Sequence, residues 1–179
     1  MHRNSKATTL ESHDIKIPIT RLKDYLGEVG IAVTTVAELA GINPIHLHKC
    51  LVAEVDGRNG SVRTMSDDNI VRLQEALHQL ALRLKYTFIL YNTDMEIRKR
   101  NGRRYCPDSL EQIRTELSPV FCIIPFMKYS LGWSYSKVRN VLDHCSISYG
   151  NLSQDDVNRI NLKLAEVATR LDLLTIVRG

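Results

Sequence analysis

The sequence predicts an all-α protein of two repeated small helical bundles, each carrying a helix-turn-helix, with room for short strands or a hairpin in the linker. Three observations carry this. The stretch Thr35–Leu51 (TVAELAGINPIHLHKCL) reads as two short helices joined by a glycine turn. A second such stretch runs from Phe126 to Leu142 (FMKYSLGWSYSKVRNVL). Around them, Ile19–Leu51 lies on Leu110–Leu142 without a gap at an offset of 91, and Ser66–Ile89 lies on Ser153–Ile176 once four residues are removed from the first loop. Self-similarity at a fixed spacing is the mark of a repeated architecture.

Taken in order, residues 1–14 are polar and without periodicity, which predicts a disordered tail. The first domain is predicted over 15–90. Between Ile15 and Gly30, the residues Ile19, Leu22, Leu26 and Val29 form a helical stripe. Thr35 can cap the next helix with Glu38 as its capping-box partner, and Val36, Leu39 and Ala40 then share one face. Gly41 ends that helix, because a left-handed residue is strained for any side chain but glycine's. Asn43 can cap the following helix and Pro44 suits its first position. Leu47, Cys50 and Leu51 continue its apolar face, flanked by Ile45. After a glycine-containing loop over Val55–Thr64, Ser66 opens a helix with Asp67 and Asp68 in its first turn, where the dipole favours negative charge. Its stripe is Ile70, Leu73, Leu77, Leu80, Ala81 and Leu84. Thr87–Tyr91 (TFILY) is β-branched and aromatic, and reads as a short strand.

The linker, 91–107, carries five basic residues against two acidic ones, and its Asn101-Gly102 pair favours a tight hairpin turn. The second domain, 108–179, repeats the order of the first. Its run Val120–Met127 (VFCIIPFM) is more apolar than a connection between helices requires. The run reads as core of the second half, or as a contact surface against the first half, a protein partner or another copy in a homo-oligomer.

The first motif resembles the helix-turn-helix of the phage-repressor and Cro-like (lambda repressor-like) DNA-binding family. That pattern is a small residue, four steps to a glycine, an apolar residue, a capping residue, then an apolar residue six after the glycine. Ala37, Gly41, Ile42, Asn43 and Leu47 fill those places; Gly132, Trp133, Ser134 and Val138 fill them in the second copy, where Lys128 stands in place of the small residue. The resemblance implies double-stranded DNA as partner, with the exposed face of each second helix in a major groove. Position by position, the implied readers are Asn43, Pro44, Ile45, His48 and Lys49 in the first copy. In the second they are Ser134, Tyr135, Ser136, Arg139 and Asn140. Pro44 and Ile45 offer no hydrogen bond to a base, whereas arginine and lysine can pair with guanine and asparagine with adenine. The linker basics Arg98, Arg100, Arg103 and Arg104 suit phosphates or a narrow minor groove.

Composition bounds the alternatives. The chain has 179 residues, with 44% hydrophobic and 25% charged, and a net charge of +4 that falls mostly in the linker. A nucleic-acid binder is usually more basic, so a rival reading is an interaction or assembly module that kept the fold without reading DNA. The four cysteines show no CxxC spacing, which suits free thiols in a reducing, cytoplasmic setting. No run approaches the roughly 20 apolar residues of a membrane span. His46, His48 and Cys50 do not share a helix face as a set of metal ligands must. No nucleotide-binding, hydrolase or metalloprotease motif occurs, so neither cofactor nor enzymatic activity is expected.

Overall fold

The computed structural model describes residues 14–55, 57, 60–91, 99–100, 103–104, 107–143, 146 and 152–178, with the backbone alone for 99–100, 103–104 and 107–108. The fold is mainly helical. Strand β1 (Ile15–Pro18) leads through a 3-10 turn (Ile19–Arg21) into α1 (Leu22–Glu28), followed by α2 (Val33–Leu39), α3 (Pro44–Leu51) and the long α4 (Asp67–Tyr86). A small hairpin, β2 (Lys99–Arg100) and β3 (Arg103–Arg104), precedes α5 (Pro107–Gln112), which widens into a π-helical turn at Ile113–Leu117. Next come α6 (Ile123–Pro125) with a π-helical continuation at Phe126–Ser130, α7 (Tyr135–Leu142), the long α8 (Gln154–Asp172) and β4 (Leu174–Val177). Among the described residues, no helix is long and apolar enough to cross a membrane. The N-terminal tail read over 1–14 lies outside them up to His13.

The predicted stripes are where the core is. Ile19, Leu22, Leu26, Val29, Leu73, Leu77, Leu80, Ala81 and Leu84 are all buried, in one cluster with Leu110, Ile113, Leu117, Ile160, Leu164 and Leu171 of the second half. Helices α4 and α8 make the most extensive contact between elements. Each then ends in an extended tail held by the other. The Gln74 amide on α4 donates to the Leu174 carbonyl (2.6 Å) and accepts from the Ile176 N–H (2.9 Å). The Asn161 amide on α8 accepts from the Ile89 N–H (2.8 Å) and donates to the Ile89 carbonyl (2.8 Å). One amide side chain presents both a donor and an acceptor, so it stands in for a neighbouring strand, at Ile89 alone for Asn161 and across Leu174 and Ile176 for Gln74.

These tails account for two departures from the sequence reading. Thr87–Tyr91 is extended but belongs to no ladder, because its peptide groups are taken by side chains: Asn161 at Ile89, and Gln112 and Ser109 at Leu90. Conversely Ile15–Pro18, read as the start of a helix, pairs in parallel with β4 in the register Ile15 with Leu174 through Pro18 with Val177. Parallel partners require a long connection between them. Here that connection is almost the whole chain, which local pattern does not reveal.

A second seam joins the halves. Ile31 pairs with Phe121 in an antiparallel bridge, Cys122 N–H donates to the Gly30 carbonyl (2.9 Å), and Ala32 N–H donates to the Val120 carbonyl (3.4 Å). The apolar run 120–127 is therefore both core and contact. Val120, Phe121, Phe126 and Met127 are buried, with Phe126 packed beneath Gly30, while Ile124 is exposed. This seam also moves the start of α2. Its N-cap is Ala32, without a side-chain bond, and Thr35 sits inside the helix with its hydroxyl donated to the Pro119 carbonyl (3.1 Å). The Thr35–Glu38 capping box is thus replaced by backbone pairing. Leu39, expected on the apolar face, points outward, since Val36, Ala37 and Ala40 span the buried arc of so short a helix.

Gly30 is the tightest point of the seam. Its φ is +76°, and a Cβ built there would lie 2.8 Å from the Phe126 Cα. Gly41, at φ +63°, has open space around it. Gly41→Ala should therefore cost only the left-handed strain, about 1–2 kcal/mol. Gly30→Ala should add overpacking against backbone, a further ~1–3 kcal/mol. Urea midpoints of the two variants check this; equal losses would show that the close approach does not constrain the fold.

Candidate nucleic-acid interface

The first motif is built as a short helix, a tight stop and a capped second helix. Gly41 N–H donates to the Glu38 carbonyl (3.1 Å) and Ile42 N–H to the Ala37 carbonyl (2.9 Å), the paired bonds of a Schellman stop. Ala37 is fully buried, as a close helix crossing needs. Asn43 then caps α3: its side-chain oxygen accepts from Ile45 N (2.9 Å) and His46 N (3.2 Å), with Pro44 at the first position. Leu47 is fully buried beneath the helix, with Cys50 and Leu51 beside it. The outward residues are Asn43, Ile45 and His48, with Ile45 68% exposed. Lys49 is half-buried and pairs with Glu54 (3.4 Å), so its charge is partly engaged within the protein. His46 Nε2 lies 3.8 Å from the Cys50 Sγ.

Helix α3 stops by the same device on a less suitable residue. Ala53 N–H donates to the Cys50 carbonyl (3.2 Å) and Glu54 N–H to the Lys49 carbonyl (2.9 Å), which places Ala53 at φ +51°. It is the one non-glycine residue with positive φ among the described residues. Ala53→Gly should raise stability by roughly 0.5–1 kcal/mol, the left-handed strain removed less glycine's extra chain entropy. A rise in the thermal or urea midpoint checks it.

The second motif reaches a similar end by a wider route. Trp133 N–H donates six residues back to the Met127 carbonyl (3.1 Å), across the π-helical turn that contains Lys128. A π turn carries an extra residue per turn, and Lys128, at the place of the small residue, is exposed on it. Gly132 (φ +67°) follows, and Ser134 caps α7 by accepting from Lys137 N (3.2 Å). Val138 is fully buried beneath α7. Tyr135, Ser136, Arg139 and Asn140 all point outward, with Tyr135 57% exposed.

Helix α7 is also anchored by charge. Lys137 Nζ lies 2.5 Å from the Asp156 carboxylate and 4.2 Å from the centre of the Trp133 ring. Asp156 is buried at the first turn of α8, where it completes a capping box with Ser153: each accepts from the other's N–H, at 3.1 and 3.2 Å. The Ser153-x-x-Asp156 spacing was a legible signal for that box; its lysine partner was not. Arg159 adds a second tie, donating to the Leu131 carbonyl (2.6 Å) just before the turn.

No family model, curated protein or solved structure matches this chain. The site is therefore read from its own geometry. The outward residues fall on two separate helices, α3 and α7. The linker forms the predicted hairpin, with Arg100 opposite Arg103 and Lys99 opposite Arg104. Arg98 lies outside the described residues, as do the side chains of Arg100, Arg103 and Arg104. Among the described residues, no three His, Cys, Asp or Glu side chains are placed to hold a metal ion.

Burial by itself would raise the Asp156 carboxyl, but hydrogen bonds from Lys137 and the Ser153 N–H, with the lysine's charge, outweigh it and hold the carboxyl below its usual value. A native value below the unfolded one stabilises the fold above the unfolded value, about 3.9 for aspartate. That contribution disappears as pH falls through the native value. Wild type should thus lose more of its urea midpoint than Asp156→Asn between about pH 6 and pH 2. Parallel curves would show that the pair contributes nothing to acid stability.

Proposed function

We propose that this chain is a double-stranded-DNA-binding protein of two unlike helix-turn-helix units, acting in the cytoplasm in transcription control or the upkeep of a mobile element. The observation that carries the reading is the placement of α7. The helix is capped by Ser134, seated on Val138 and tied to α8 through Lys137, yet it turns Tyr135, Ser136, Arg139 and Asn140 to solvent. Such a row on a rigid, capped helix suits reading of base edges in a major groove. The repeat supports a second unit around α3, with like caps at Asn43 and Ser134, like positive-φ glycines at Gly41 and Gly132, and like buried seats at Leu47 and Val138. That unit offers less to a base, since Ile45 cannot hydrogen-bond and Lys49 is shared with Glu54. Two unlike units would read two unlike half-sites, so a palindrome is not required.

In this mechanism Arg139 offers a bidentate pair to guanine and Asn140 one to adenine, while Arg98, Arg100, Arg103 and Arg104 hold phosphates. An interaction or assembly module is the second reading. It is favoured by the exposed apolar side chains Ile45 on α3 and Ile124 in the 120–127 run, which suit a protein partner or another copy of the chain.

Binding to selected duplexes over a salt series tests the proposal. Arg139→Ala should cost about 1–3 kcal/mol at one base pair and relax preference there. Replacing Arg100 and Arg103 by alanine should weaken all duplexes alike and flatten the salt slope by about 0.9 for each phosphate no longer neutralised. No salt-dependent binding by wild type would leave the assembly reading in its place.

A further inference from the structure

Helices α4 and α8 pack antiparallel: His78 on α4 meets Asp172 at the end of α8, while Asn161 on α8 meets Ile89 just past the end of α4. Along this contact lie two adjoining hollows of about 460 and 350 Å³, which share Lys85 and Ala165. Phe88 and Leu162 line the larger and Leu82 the smaller. Phe88 is 64% exposed and Leu162 72%. Walls that open do not enclose a small molecule, but they suit a protein surface laid across them.

The repeat shows that the fold does not require this groove to stay open. With Ser66–Ile89 laid on Ser153–Ile176, His78 falls on Ala165 and Lys85 on Asp172. His78 and Asp172 bridge the two helices at 3.0 Å. At the answering place an alanine faces a lysine, and no bridge can form. Asp172, the carboxylate in the smaller hollow, is engaged by His78. Lys85 is left without an ion-pair partner among the described residues, and so is Glu75 on the same helix. Val71, Glu75, His78, Leu82 and Lys85 are all exposed and follow one another at alternate spacings of four and three residues. That is the spacing by which one face of a helix meets a partner helix.

We propose that α4 of a second copy of this chain lies antiparallel in the groove, forming a symmetric dimer. A two-fold axis midway between Glu75 and Lys85 sets Glu75 of each copy against Lys85 of the other. The same register sets Leu82 against the partner's His78. It also carries the partner's Val71 to the level of Phe88, at the Leu162 end of the groove. A parallel arrangement would instead set Glu75 on Glu75 and Lys85 on Lys85, where like charges repel. The face is thus complementary to itself in the antiparallel sense alone. The contact uses no residue of α3 or α7, so it is independent of what those helices recognise. One helix face is at the small end of protein interfaces, so the dimer should form at roughly 10–100 μM.

Sedimentation equilibrium of the full chain from roughly 5 μM to 1 mM, a series that spans this range, provides the test. Wild type should pass from monomer to dimer over the series. Glu75→Lys and Lys85→Glu should each weaken self-association at least about tenfold, because each alone brings like charges together. Mixed in equal amounts, the two variants should recover dimer at wild-type strength, since every lysine at these positions then faces a glutamate. The chain carrying both reversals should recover it too. Recovery in the mixture also shows that both variants are folded. Wild type that stays monomeric to the top of the series, single reversals without effect, or a mixture no stronger than either variant alone would each overturn the proposal.

Discussion

The reciprocal hold of two amide side chains on two extended tails is the constraint on which the rest of this fold depends. Gln74 on α4 satisfies peptide groups of Leu174 and Ile176, and Asn161 on α8 satisfies both peptide groups of Ile89. Ile89, Leu174 and Ile176 are buried, where an unpaired peptide group would cost free energy comparable to a missing hydrogen bond. Each half thus carries the partner for the other half's tail. The exchange brings β4 beside β1, fixes α4 against α8, and leaves the turn at Gly30 pressed on Phe126. Backbone contact that close leaves no room for a side chain, so the exchange of tails is accompanied by a steric lock between Gly30 and Phe126.

The two candidate reading helices are secured in different ways on this frame. Helix α3 relies on local devices: Asn43 with Pro44 at its start and a left-handed Ala53 at its end. Helix α7 relies on a long-range one, with Lys137 set between the Asp156 carboxylate and the Trp133 ring. At the places of these three residues the first half has His46, Asn69 and Ile42, which cannot form such a pair. A half-exposed lysine on a buried carboxylate gains less than its short distance suggests, because solvent screens it and burial of the acid opposes it. What it adds is direction, since it fixes the face of α7 that carries Arg139 and Asn140.

The charge distribution fits specific local contacts better than a general field. A net charge of +4 on 179 residues is small, and Lys49, Lys137, Lys163 and Arg170 are each shared with a carboxylate. A nucleic-acid surface built on these residues would draw its affinity from the linker hairpin and its selectivity from α7, so its salt dependence should be shallow for a two-unit binder.

Much of the local structure was legible in the sequence. The apolar stripes at Ile19–Val29 and Ile70–Leu84, the caps Asn43, Ser66 and Ser153, the left-handed Gly41 and Gly132, and the antiparallel pairing of Lys99–Arg100 with Arg103–Arg104 all follow from rules acting within a few residues. The outward row of α7 was legible for the same reason, because the spacing that buries Val138 turns Arg139 and Asn140 away. Tertiary structure alone decided the rest. Thr35 gave up its capping role when backbone pairing across the seam started α2 earlier. Thr87–Tyr91 became an extended tail without a ladder because side chains from α5 and α8 took its peptide groups. Ile15–Pro18 became a strand only because β4, at the far end of the chain, lies beside it. Lys137 and Asp156 likewise meet only after the chain has packed. Periodicity and capping constrain a residue through its neighbours in sequence, whereas these outcomes depend on which distant peptide group or charge the folded chain brings within reach.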